Sequence, residues 1–205
     1  MRHKSRIVAL QIVALSGFLL SHCAPVKEHP HRASTLESHE SLARPVPVSR
    51  VDLDRYVGTW YEIASYPQWF QRGCHCTRAR YSKNEDGTIS VLNSCNRDST
   101  DGKYSTANGT AVVQNDATNS NARLKVFFFL PWLRLFGGDY WIIGLDDEYR
   151  WAVVSEPSQK YLWILSRTPE MPGDQLDRAR KVIRDNGLDL EMLNWTEQKG
   201  CAYPD

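Results

Sequence analysis

The chain has 205 residues, with 25 Lys and Arg against 24 Asp and Glu, giving a formal charge of +1. That balance provides no basic field to draw in a phosphate backbone, which argues against nucleic acid as a partner. The length suits one domain of ordinary size, with residues left over for a leader or spacer.

Arg2, Lys4 and Arg6 form a basic head, and an apolar run from Ile7 to Leu20 follows, interrupted by Gln11, Ser16 and Gly17. A bilayer-spanning helix needs about 20 apolar residues, whereas a signal-peptide core needs roughly 7–15, so the run reads as a secretory leader. It ends Leu20-Ser21-His22-Cys23, which resembles the cleavage site at which bacterial lipoproteins are diacylated on cysteine. The resemblance makes residues 1–23 a lipoprotein signal peptide and Cys23 the lipidated residue. His22 stands where a small residue is usual, and ordinary signal cleavage is the alternative. Residues 24–50 are rich in Pro, His, Ser and Glu and poor in large apolar side chains. They read as a flexible linker reaching about 30 Å. The folded domain is then 51–205.

From Val51 the texture is strand-like. β-Branched and aromatic runs at 59–66, 75–83, 88–96, 104–114, 122–130, 139–145, 150–155 and 161–167 are separated by Gly, Asn, Asp and Pro. Asp86-Gly87 is a hairpin signal. Eight consecutive strands with short links predict an all-β fold, an antiparallel up-and-down barrel whose closure removes both exposed edges. Pro172-Gly173 opens one helix, Leu176, Ala179, Val182 and Ile183 form its apolar stripe, and Asn186-Gly187 ends it. This single C-terminal helix is expected to pack outside the barrel, with a short strand near 193–196 after it.

Alternation fixes most of the inward face. In Thr77-Arg78-Ala79-Arg80-Tyr81 the arginines must point out, which turns Thr77, Ala79 and Tyr81 inward. In Leu124-Lys125-Val126 the lysine points out, leaving Leu124, Val126 and Phe128 inside. Ala107, Gly109 and Ala111 are small residues at one parity, and a barrel lined by them has room for a ligand. The candidate wall is Ala79, Tyr81, Val91, Asn93, Val126, Phe128, Val154, Tyr161 and Trp163, with core filling as the alternative for each. Glu62 shares parity with Trp60 and reads as an inward carboxylate suited to a polar headgroup. Around Tyr140-Trp141-Ile142 neither parity is favoured.

Three blocks resemble the lipocalin family: Gly58-Thr59-Trp60-Tyr61-Glu62-Ile63-Ala64, Leu145-Asp146-Asp147-Glu148-Tyr149-Arg150, and Tyr161-Leu162-Trp163-Ile164-Leu165-Ser166-Arg167-Thr168-Pro169. The likeness is nearest to bacterial outer-membrane lipocalins and apolipoprotein D. In an up-and-down barrel these blocks meet at one end. The resemblance implies that Gly58, Trp60, Asp146, Tyr149 and Arg167 build the barrel floor, with Arg167 over the Trp60 ring. It also implies a fatty acid, lysophospholipid or similar membrane lipid as ligand, in an envelope protein held at the outer membrane. By alignment with apolipoprotein D, Cys76 pairs with Cys201 and Cys74 with Cys95; the rival pairing joins Cys76 to Cys95 and Cys74 to Cys201.

The opposite end carries four loops. One, Leu130-Pro131-Trp132-Leu133-Arg134-Leu135-Phe136, is apolar where an open rim should be polar. It is expected to meet a membrane, the ligand's tail or a second copy in a homodimer, or else to fold inward as a cap. No catalytic residue, cofactor or metal ligand is expected. Five of the six His lie in the first 50 residues, and neither a nucleophile elbow nor a zinc motif is present. Cys74-His75-Cys76 has no second ligand pair. The rival classes are an envelope protein with a filled barrel that binds a partner, and a lipocalin-type enzyme.

Overall fold

The computed structural model describes residues 44–114, 117, 119–128 and 137–204. The leader with Cys23, the linker through residue 43 and the apolar loop 130–136 lie outside the described residues.

A helical turn, α1 (Leu53–Tyr56), opens the domain; the Asp52 carboxylate caps it by accepting from the Asp54 N–H. Eight strands follow: β1 (Gly58–Ser65), β2 (Cys74–Lys83), β3 (Ile89–Arg97), β4 (Tyr104–Val113), β5 (Arg123–Phe128), β6 (Gly137–Leu145), β7 (Trp151–Ser155) and β8 (Leu162–Ser166). Each pairs antiparallel with the next, and β1 pairs with both β2 and β8, so the sheet closes. This is the eight-stranded up-and-down barrel read from the alternation. Its strand limits shift by one or two residues. The β2–β3 hairpin turns at Asp86-Gly87 with Gly87 at φ +82°, and the Asp86 carboxylate accepts from the Thr88 N–H and hydroxyl.

Directly opposite residues share a face of the sheet. One inward ladder runs Trp60–Ala79–Asn93–Ala107 and the next Tyr81–Val91–Gly109–Phe128. A third runs Ile89–Ala111–Val126–Gly138. Tyr140 and Ile142 belong to this interior, while Trp141 packs outside. A register shift between Ile142 and Gly144 explains why no single parity could be read there.

Helix α2 (Gly173–Asp185) lies on the outside, where Ala179 and Ile183 join Ile143, Val153 and Ile164 in a second apolar cluster. All of β7 is buried, because one face lines the barrel and the other lies beneath α2. A Cβ on Gly144 would meet Val182 Cγ1 at 2.8 Å, so glycine there permits the helix to come close. Strand β9 (Asn194–Trp195) pairs with the far end of β1. Part of the segment read as linker is docked on this body. Pro45 is buried, the Val46 N–H donates to Asn186 Oδ1 at 2.7 Å, and the Val48 N–H donates to the Ile142 carbonyl at 2.8 Å.

Candidate ligand-binding site

The closed end is built around Trp60, whose side chain is wholly buried. The Arg167 guanidinium lies 3.7 Å from the Trp60 ring centroid, a cation–π contact worth about 0.5–2 kcal/mol. Its N–H groups donate to the carbonyls of Arg55, Tyr56, Thr59 and Tyr149 at 2.7–3.2 Å. Burial pushes the Arg167 pKa down from its ordinary value. Gly58 has φ +98°, and a Cβ there would stand 3.3 Å from the Arg167 guanidinium, so both backbone and space favour glycine. The Trp60 indole N–H donates to the Tyr56 carbonyl at 2.8 Å, which ties α1 across the floor.

Asp146 shapes the β6–β7 turn beside it. Its carboxylate accepts from the Arg150 guanidinium at 2.8 and 2.9 Å and from the N–H groups of Glu148 and Arg150. Tyr149 takes φ +60° in this turn, and its hydroxyl accepts from the Asp52 N–H at 2.8 Å. The Arg150 guanidinium holds the Asp146 carboxyl below the usual carboxylate range. A depressed carboxyl contributes stability that is complete above its unfolded value of about 3.9 and is lost as pH falls through the lower folded value. Arg150 is half-exposed, so we expect Asp146→Asn to cost only about 1 kcal/mol at pH 7. The melting-temperature gap from wild type should narrow below about pH 4; a gap constant down to pH 2 would exclude this account.

Above the floor lie three phenols. The Tyr56 ring packs on Trp60 at 5.1 Å and on Tyr81 at 6.0 Å between centroids. The Tyr56 and Tyr140 hydroxyls are 2.8 Å apart, and those of Tyr81 and Tyr140 are 3.2 Å apart. Burial pushes all three phenols up, Tyr81 to about 12, so they remain neutral at physiological pH. Tyr56 and Tyr140 are not among the sequence candidates: Tyr56 precedes the first strand, and Tyr140 sits where the pleat is interrupted. The one available signal was the capping Asp52, which marks a helical turn ending on an aromatic four residues before Trp60.

The wall candidates on the strands face inward, and Tyr161, just before β8, stacks on the inward Trp163. Ala79, Val91, Val126 and Val154 are buried, Tyr81, Asn93, Tyr161 and Trp163 are half-buried, and Phe128 is 41% exposed. Asn93 Oδ1 and Thr77 Oγ1 have no hydrogen-bond partner among the described residues. The inward Ala107 and Gly138 are exposed as well, and a Cβ built on Gly138 meets no described atom within 4 Å. Among the described residues, room is therefore left at Ala107 and Gly138, whereas Gly109 and Ala111 are buried.

On the other side of the mouth, aromatics line up. Trp69 meets Phe70 at 5.6 Å, Phe70 meets Tyr161 at 5.8 Å, and Tyr161 stacks on Trp163 at 6.0 Å. Trp69 is 77% exposed. Glu62 lies opposite Leu165 on the inward face, but its oxygens are occupied by protein donors: Ser65, Gln71 and Thr196 all bond it. Gln71 in turn accepts from the Trp163 indole N–H. Burial pushes the Glu62 carboxyl up. Its place is thus a tie between β1, the first mouth loop and the C-terminal tail, rather than an unoccupied headgroup contact.

Disulfides join Cys74 to Cys95 and Cys76 to Cys201. The second spans 125 residues and fixes the tail to β2, a closure worth about 4–5 kcal/mol in the chain-entropy model. Beneath the tail, Arg78 bonds Ser94 and the Pro204 carbonyl and faces the Tyr203 ring. Among the described residues no group of His, Cys, Asp and Glu is arranged to hold a metal ion.

A lipocalin-like domain model matches residues 51–198. Temperature-induced lipocalin-1 of Arabidopsis thaliana is 39% identical over 155 residues, covering 74% of this chain and 81% of that protein. Outer membrane lipoprotein Blc of Escherichia coli strain K12 is 36% identical over 196 residues, covering 95% of this chain and 99% of that one. Among solved structures, insecticyanin of the tobacco hornworm Manduca sexta superposes with a TM-score of 0.63 at 22% identity, covering 77% of this chain and 87% of the other.

Proposed function

The chain belongs to the lipocalin family, and from that premise we propose that it carries one hydrophobic or amphipathic lipid with a long acyl chain inside the barrel. The observation that carries the reading is Gly138, an inward residue with open space where its side chain would be. Beside that space stand Val126 and Phe128, and across the mouth Tyr161 and Trp163, apolar or aromatic surfaces suited to an acyl chain. Apart from the Glu62 carboxylate, whose oxygens three protein donors hold, the inward polar groups are hydroxyls, an amide and rings rather than a nucleophile with a base, which favours a binder over an enzyme.

We also propose that Cys23 is diacylated and holds the protein at the outer membrane of a bacterial envelope. Similarity to an outer membrane lipoprotein along nearly the whole chain supports this. The exposed Trp69 and Phe70 at the mouth would then face the lipid from which a ligand is drawn, with a homodimer through the same rim as the competing use.

Protein purified from its own envelope should retain a lipid of one acyl chain in native mass spectrometry, and labelled palmitate should enter wild type but not Cys23→Ala. A barrel that comes out empty and takes up no hydrocarbon fluorophore would leave only a structural or partner-binding role.

A further inference from the structure

The three phenols above the floor have a proton count that does not close. Tyr56, Tyr140 and Tyr81 bring three O–H donors, and among the described residues their hydroxyl oxygens make two contacts, both through Tyr140. Three hydroxyls joined by two hydrogen bonds leave one proton without an acceptor in the trio: on Tyr56, on Tyr81, or on Tyr140 where Tyr140 accepts from both neighbours. Burial decides which hydroxyl does not keep it. Tyr56 is 4% exposed and packed between Trp60 and Tyr81, so an unused donor there would be sealed from any acceptor. Tyr81 and Tyr140 are both partly exposed and both pack against the barrel's interior cluster. Tyr56 therefore donates to Tyr140, and the unused proton belongs to Tyr81 or Tyr140, on the interior side of the trio.

We infer that this hydroxyl relay is a binding station for a hydrogen-bond acceptor oxygen on the ligand, so that the polar head of a long-chain lipid lies deep in the barrel and its tail runs toward the mouth. Two further observations agree. The Arg167 guanidinium under Trp60 bonds only backbone carbonyls, and its charge has no carboxylate partner among the described residues. At the other end the rings of Trp69, Phe70 and Tyr161 offer apolar surface to a tail. Glu62 carries the opposite charge nearby, but three protein donors hold it. This inference rests on the carrier reading and specifies the orientation of the cargo.

The test uses the folded, disulfide-bonded domain and two fluorescent polyenes: cis-parinaric acid, which has a carboxylate, and diphenylhexatriene, which has no heteroatom. The methyl ester of parinaric acid is a third arm that separates a carboxylate from any acceptor oxygen. Tyr140→Phe and Tyr81→Phe, each checked for an unchanged melting temperature, should weaken parinaric acid about tenfold and leave diphenylhexatriene within about twofold. Loss confined to the acid identifies a carboxylate head, and equal loss for acid and ester identifies a neutral acceptor; both support the station. Unchanged parinaric acid binding, or equal weakening of all three probes, overturns it while the carrier reading stands. Failure of wild type to bind any probe overturns both.

Discussion

Trp60→Ala should lower the stability of the barrel by about 3–5 kcal/mol, the range for truncating a buried Trp. The side chain is wholly covered, carries the Tyr56 ring on one side, and has the Arg167 guanidinium 3.7 Å from its ring centroid. Truncation therefore opens a cavity at the floor and also removes the ring from a partly buried cation that is otherwise held by carbonyl oxygens. Urea denaturation of the oxidised domain is the appropriate measurement, since the slope reports whether unfolding is still cooperative. A loss below about 1 kcal/mol, the scale of an ordinary surface substitution, would mean that the floor collapses onto the gap and that Trp60 is not its keystone.

The second large effect is expected on binding rather than stability. Gly138→Phe places a ring in the open space beside Val126 and Phe128. Gly138 is not among the residues with positive φ, so the backbone accepts a side chain, and Phe suits a strand better than Gly. Stability should change by less than about 1 kcal/mol, while diphenylhexatriene binding should weaken about 30-fold, or about 2 kcal/mol. A packed barrel predicts the reverse: overpacking that costs about 1–3 kcal/mol, with no ligand affinity to lose. The two outcomes separate a carrier from a filled barrel in one variant.

Most of the fold was legible because its strands obey a strict pleat. Arg78 and Arg80 had to point outward, and that alone turns Ala79 and Tyr81 into the barrel. Of the small inward residues on β4 only Ala107 is exposed; Ala111 is buried, and Gly109 is covered by Phe128, whose ring would stand 3.1 Å from a Cβ there. Legibility failed where the pleat breaks. Between Ile142 and Gly144 two consecutive residues face the helix, so alternation through Tyr140 and Trp141 could not be anchored. Tyr56 was hidden for a different reason: it reaches the interior from a helical turn outside the strand pattern, and its role appears only when β6 brings Tyr140 across to it. Glu62 was placed on the correct face by parity, yet its donors come from Gln71 and Thr196, nine and 134 positions away, which no local pattern reveals.

The way β1 is shared has a consequence for the order in which this protein can assemble. Its first half pairs with β2, but from Tyr61 onward it needs β8, and its last two residues need β9 near the end of the chain. A polypeptide emerging amino terminus first can build the meander from β2 to β7 by local hairpins while β1 waits, half paired, for segments about a hundred residues behind it. Ring closure thus waits until residue 166 is free, and until then the newborn sheet exposes an unpaired border open to pairing with another chain.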